Sequence, residues 1–360
     1  MIIELQNFGP IKSFKFDTDK DIHAIFGKNN IGKSYAISAV YLILKGLREY
    51  EYDDGFSSTI PNISDTTNIN KFVEKQFKEK KIDEFDIKQE ISNRFTDSLN
   101  SSLMLMVSKS FQNTFQISKI ENLLSKNPIK ILISLNICSI SIELDSENRT
   151  LKVYNSILSS GFKIISSDSQ KKPELVSDVY TFYYYKNQDS EYNLMGLDRI
   201  LSVLHLKIWK EIKLVTDNIY YLPASRSGLY NSLNSFGPIF AEISRNRFSL
   251  SSKFEIPNLP EPISDYFLKL NNIENTTISD IYTKNFEQIE KDILKGSITF
   301  DYETKKYFYT PSDTDFHLEL SSTSSMISEI APIIAHLKYI IPLENETPSI
   351  LYPFSKSRSC

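Results

Sequence analysis

Cysteine, tryptophan and glycine are scarce in this sequence: its 360 residues include two Cys, one Trp and ten Gly. Two cysteines, Cys138 and Cys360, cannot build a disulfide framework and have no metal-ligand spacing. Four scattered histidines add no zinc pattern. Cys138 lies in an apolar-alternating run and reads as a small core residue. No stretch of eighteen apolar residues exists, so no membrane span is expected. The N-terminus enters a strand-like run directly, without the basic-then-apolar order of a signal peptide, which points to a cytoplasmic protein. Neither charge sign dominates: 41 Lys and Arg against 45 Asp and Glu leave a net charge of −4. That argues against wholesale nucleic-acid coating, although it leaves room for a local basic patch. Internal repeats are lacking, and so is any heptad run long enough for a coiled-coil arm.

What remains is an ordinary globular composition, 41% hydrophobic and 24% charged, long enough for one large domain or two smaller ones. "MIIELQNFGPIKSFKF" alternates apolar and polar residues around Gly9-Pro10 and predicts a β-hairpin. "DIHAIF" predicts a short strand ending on Gly27, and "YAISAVYLILKGL" repeats apolar residues at helical spacing. Helices are expected in "NKFVEKQFKEKK", in "SLMLMVSKSFQNTF" and between about 198 and 215. The sign-alternating "EKQFKEKKIDEFDIKQE" reads as a solvated helical face. "KILISLNICSISIELD" and "TLKVYNSI" predict strands broken at "SENR", "SSGFKIISSDSQKKPE" a loop, and "NIYYLPA" a buried strand ending at Pro223. Helical and loop material is expected from 230 to 290. "GSITFDYETKKYFYTP" predicts a hairpin turning near Glu303. "SMISEIAPIIAHLKYII" predicts an amphipathic helix with Ile327, Ile330, Ile334 and Leu337 on one stripe.

The sharpest feature is "GKNNIGKS", Gly27 to Ser34, which has the spacing of a phosphate-binding loop. Such a loop needs glycines because its backbone N–H groups must turn inward and approach phosphate with no Cβ in the way. Gly27, Lys28, Asn29, Asn30, Ile31 and Gly32 would form the cradle. Lys33 would reach the β- and γ-phosphates of ATP, and the Ser34 hydroxyl would coordinate Mg²⁺. Asn29 and Asn30 tolerate unusual backbone angles. The helix start behind the loop adds positive field at the same point. A chance match in a chain of this length is roughly a one-in-a-hundred event. The competing reading is a lysine-capped surface turn.

"IIELQNFGPIKSFKF" followed by "IFGKNNIGKS" resembles the opening of RecF/SMC-like ABC ATPases. More narrowly, it resembles single-chain AAA-family ATPases related to the OLD and PtuA proteins of bacterial defence systems. "YYLPASRSGLY" is similar to that family's strand-to-loop passage, and "LSSTSSMISEIAPIIAHLKYII" to its signature segment. The resemblance implies an α/β fold: an ABC-type P-loop head, residues 1–360, with an N-terminal antiparallel β-lobe and a helical insertion. Residues 1–50 would hold the hairpin, P-loop and first helix. About 51–190 would form an insertion and β-lobe, and about 191–360 a helical subdomain with the signature segment. It implies a homodimer that sandwiches ATP, with Ser324 and Ser325 facing the partner's γ-phosphate. It also implies a link to DNA or an effector nuclease.

Read from the residues alone, Ser324 and Ser325 equally form a plain helix N-cap with Glu329 in the first turn. Met326 stands where such signatures usually have glycine. Arg226 could meet a phosphate or nucleic acid, or pair with a carboxylate. In the resembling family an acidic pair follows the signature helix on a strand. Here Glu344 and Glu346 fall in the loop before "SIL", and no Asp or Glu follows Leu351. The expectation is therefore an ATPase core with an incomplete C-terminal half, able to hold ATP and poor at splitting it. The alternative is a non-hydrolysing nucleotide-binding module completed by a partner chain. A small-molecule P-loop kinase fits less well, because "REYEYDDGFSSTIPN" does not resemble an arginine-bearing lid.

Overall fold

Alternation of Ile3 and Leu5 inward with Glu4 and Gln6 outward makes β1 (Ile2–Phe8), which pairs antiparallel with β2 (Ile11–Asp17) as the hairpin expects. The structure is a computed structural model. It describes residues 1–28, 31–52, 72–73, 75–77, 83–101, 103–115, 128–145, 150–169, 171–172, 174–185, 206–216, 219–224, 226, 228, 259–271, 273 and 286–340. Two compact units divide the chain, Met1–Ile219 and Tyr220–Cys360.

In the first unit the other edge of β1 pairs with β4 (Lys130–Ser134), which continues into β5 (Cys138–Asp145) and β6 (Thr150–Leu158). The result is a five-stranded antiparallel sheet in the order β2-β1-β4-β5-β6. The run "KILISLNICSISIELD" is thus itself a hairpin. It closes where Leu135 N–H donates to the Cys138 carbonyl at 2.8 Å. Three of the five strands come from the stretch read as an insertion and β-lobe. A register shift opposite Ser141/Ile142 inserts an extra residue into β6. The inward face then passes from Leu151 and Val153 to Ser156 and Leu158, and leaves Tyr154 exposed.

Behind this sheet, α1 (Lys33–Tyr52) is buried on nearly every side from Ala36 to Leu47, as an all-round apolar helix must be. Gly46 lets α3 (Leu103–Thr114) approach, since a Cβ there would stand 2.6 Å from Val107 Cγ2. Beside it lies α2 (Lys88–Ser101), whose polar residues serve the outer edge of β6. The Asn100 amide accepts from Val153 N–H at 2.7 Å and donates to its carbonyl at 2.9 Å. Thr96 Oγ1 accepts from Ser156 N–H at 3.1 Å, Ser156 Oγ donates to the Ser92 carbonyl at 2.9 Å, and Ser108 Oγ accepts from Leu151 N–H at 2.9 Å. A sheet edge that would otherwise need a sixth strand is satisfied by helix side chains.

A second, four-stranded sheet has the order β3-β7-β9-β8, built from β3 (Glu84–Asp86), β7 (Gly161–Ser167), β8 (Glu174–Val176) and β9 (Val179–Tyr185). Two expectations fail here. Residues 161–167, expected as a loop, form a strand parallel to β9. Part of the run expected as a solvated helical face is β3, with Phe85 packed on Phe77 at 5.1 Å between ring centroids. Cys138 is buried as expected, and burial pushes its thiol up to about 12.

Two more expected strands are not formed. Residues 22–28 and 219–224 carry no strand pairing, and Ile22 and Phe26 are 84% and 87% exposed. The cause in the first case is local. The Asp17 carbonyl accepts from Lys20 N–H at 3.1 Å and from the His23 ring at 2.7 Å, turning the chain away from the sheet. Pro223 offers no N–H to a ladder, and it is buried.

In the second unit the expected hairpin is formed by β10 (Gly296–Asp301) and β11 (Lys306–Pro311), with the short β12 (Leu318–Glu319) on its outer side. Asp301 Oδ1 accepts from Glu303 N–H at 2.9 Å, which closes the turn. Against the hairpin pack α4 (Glu261–Asn271) and α5 (Ser325–Ala335), around Tyr266, Phe300, Tyr307 and Ile334. A π-helical turn, residues 336–340, continues α5, and another spans 290–294. Between them the carboxylate of Glu290, 2% exposed, accepts from Lys338 Nζ at 3.2 Å and from Ile298 N–H at 2.8 Å. This buried pair is bound to the backbone on both sides, since Lys338 also donates to the Ile298 carbonyl at 2.9 Å.

Candidate functional site

The loop before α1 is shaped by its glycines. Gly27 has φ +156° and Gly32 φ +93°, conformations that side-chain-bearing residues rarely adopt. Gly32 also lies against the β1–β2 turn: a Cβ there would stand 2.7 Å from Pro10 Cγ and 2.9 Å from Ile11 Cγ1. The Gly32 carbonyl accepts the first helical bond, from Ala36 N–H at 2.9 Å. The first N–H groups of α1 have no partner within the helix, as at any helix start. No acidic residue stands in that first turn, so its positive end is uncompensated by charge.

Lys33 folds back over the loop. Its Nζ donates to the carbonyls of Gly27 and Lys28, both at 2.7 Å. Gly27 and Lys28 are exposed and Ser34 stands exposed on the first turn, while Ile31 is 45% exposed. Asn29 and Asn30 lie outside the described residues. What the structure brings together is therefore two glycine turns, an ammonium over the loop, a hydroxyl on the first turn and an open helix start. That set fits a polyphosphate carrying a hydrated divalent cation.

The support beneath the loop was not read from the sequence. The Tyr35 ring covers Gly9, 3.5 Å from where a Cβ would be, and packs on Phe115 with centroids 4.9 Å apart. Phe8 meets Phe111 and Phe115 edge-on at 5.5 and 5.3 Å. Hairpin turn, loop and the end of α3 are thereby locked through one aromatic cluster. The only signal was "NFGP" itself, recognisable as a turn but silent about what it touches.

The second expected part of the site lies in the other unit. Ser324 is the N-cap of α5, with its hydroxyl accepting from Ile327 N–H at 3.4 Å. Ser325 is the first helical residue, and Met326 is 57% exposed. The capping alternative thus describes the local geometry of Ser324. Arg226, left open between phosphate and carboxylate, pairs with Glu329: its backbone N–H donates to Oε2 at 3.3 Å and its Nε to the Glu329 carbonyl at 2.8 Å. Glu344, Glu346 and "SIL" lie outside the described residues.

A family model of the AAA ATPase domain matches residues 1–354. The chain belongs to the AAA ATPase domain family. No curated protein matches it, and no solved structure does. An AAA ATPase domain binds ATP, generally with Mg²⁺, and the α/β architecture with antiparallel sheets accords with a P-loop ATPase. Among the described residues of this AAA ATPase domain, no group of three or more His, Cys, Asp or Glu could hold a metal ion by itself. Among the same residues, no helix is long and apolar enough to cross a membrane.

Proposed function

We propose that this AAA ATPase domain binds Mg-ATP at Gly27–Ser34 and acts as an ABC-type head that pairs with a second copy around the nucleotide. Its setting would be DNA-linked bacterial defence or repair, as the OLD- and PtuA-like resemblance implies. The observation that carries the reading is the Lys33 ammonium seated over a double-glycine turn at an open helix start.

In this reading the N–H groups of the loop and of the first turn of α1 face the phosphates. Lys33 exchanges the Gly27 and Lys28 carbonyls for phosphate oxygens, a charge-assisted replacement of two neutral acceptors. Ser34 Oγ would hold the Mg²⁺ that accompanies ATP, which would supply positive charge against the phosphates. Ser324 and Ser325 would meet the nucleotide of the second copy.

A second reading, a nucleotide-binding module that another chain completes, is supported by residues 22–28. They lead into the loop extended and unpaired, with Ile22 and Phe26 exposed. One experiment separates the two: Mg-ATP binding and turnover by the purified chain beside Lys33→Ala. Binding lost in Lys33→Ala, with Lys33-dependent turnover, supports the ATPase head. The same loss with background turnover supports the module. Binding that Lys33→Ala leaves intact would sink both.

A further inference from the structure

Arg226 lies in the passage that leads from Tyr220 towards the middle of the second unit, and α5 begins about a hundred residues later. The two are joined through one side chain. Arg226 Nη1 donates to the Pro223 carbonyl at 3.0 Å and Nε to the Glu329 carbonyl at 2.8 Å, while Nη2 stands 3.8 Å from Glu329 Oε2. The backbone N–H of Arg226 reaches the same Oε2 at 3.3 Å. Glu329 is therefore held at both its main chain and its side chain by a single residue.

A second feature of α5 lies three residues on. Pro332 is inside α5. It removes one N–H from the helix ladder, and its ring presses on the carbonyl four residues back, that of Ser328. The neighbouring Glu329 carbonyl accepts from Arg226 Nε at 2.8 Å, which a carbonyl's second lone pair allows. The guanidinium fork suits two carbonyls in fixed directions, whereas an ammonium supplies one point of charge.

We propose that Arg226 is a positioning residue for the ATP-sandwich reading. It clasps the first turns of α5 to the Pro223 passage, so that the Ser324 and Ser325 hydroxyls keep one orientation towards a phosphate of the second copy. The role rests on the function proposed above.

The test measures Mg-ATP-driven self-association by sedimentation for the wild-type chain, Arg226→Lys and Glu329→Gln. Mg-ATP affinity and the unfolding midpoint are measured on the same samples. Arg226→Lys is expected to weaken association about tenfold, because it keeps the charge and loses the fork. Its Mg-ATP affinity, set at Lys33, stays at the wild-type value, which separates positioning from general damage. Glu329→Gln keeps the carbonyl that accepts Nε and is expected to associate within about twofold of wild type. An Arg226→Lys chain that associates like wild type overturns the inference and leaves the sandwich standing. A Glu329→Gln chain that fails as fully as Arg226→Lys overturns it too, because the ion pair alone would then carry the contact. A wild-type chain that never self-associates with Mg-ATP sinks the sandwich itself, and the role of Arg226 with it.

Discussion

α1 begins on Gly32, which has no side chain to cap with, whereas α5 begins under the hydroxyl of Ser324. At the first start no acid stands in the opening turn, the preceding residues turn through positive φ, and a lysine is folded across the loop. At the second, the Ile327 N–H already has its acceptor and Glu329 is held by Arg226. One start leaves its donors open to an anion, and the other spends one on its own chain. Both sit at stretches that resemble functional segments of the same family. Yet only the first carries its evidence in local geometry. In the proposed function the second would become a site only against a second copy.

The largest effect expected from disturbing this contrast is at the open start. Gly32→Ala places a methyl 2.7 Å from Pro10 Cγ at φ +93°, and should destabilise the first unit by about 2–3 kcal/mol while abolishing Mg-ATP binding. Urea unfolding and nucleotide titration on one sample check it. Unchanged binding would mean that the loop does not need its glycine turn, and the contrast would collapse.

Ser324→Ala acts at the capped start and should cost about 1 kcal/mol, with Mg-ATP affinity unchanged. A variant that keeps its stability yet loses Mg-ATP-driven association would sharpen the contrast instead, by showing that the hydroxyl serves a phosphate before it serves the helix.

At neutral pH the smallest effect belongs to neither start and sets the baseline. Cys138, 1% exposed, has its thiol pushed up to about 12, so the folded chain keeps a proton that the unfolded chain releases. Stability is therefore unaffected at neutral pH. It falls from about pH 9 upwards, by about 1.4 kcal/mol per unit from this one group, until the folded thiol ionises too. Cys138→Ala should flatten that part of the pH–stability curve. A slope that persists unchanged in the variant would assign it to other groups.

The comparison also shows what could be read in advance. The glycine turn into α1, the β1–β2 and β10–β11 hairpins, α3 and α5 were legible because each is specified within a short window: a glycine spacing, a turn, a period. β7 was missed because its partner is parallel and comes after an intervening strand, while its own run is broken by serines and glycine. The strands expected at 21–26 and 218–223 failed for the opposite reason. Their apolar residues were read correctly, but a strand exists only beside another, and no local pattern reports a neighbour. The helix contacts of Ser92, Thr96, Asn100 and Ser108 were invisible likewise. Such polar residues at helical spacing look like a solvent face until the strand they serve is known.

That last set of contacts has a consequence for how the molecule can grow. With the donors of Leu151, Val153 and Ser156 already taken by α2 and α3, the first sheet is closed to further strands on the β6 side. Main-chain addition has only the β2 side left, where Lys12 and Lys15 stand exposed along the strand. The sheet thus has one sealed margin and one guarded margin, and polymerisation through its edges is checked by two unrelated devices at its two ends.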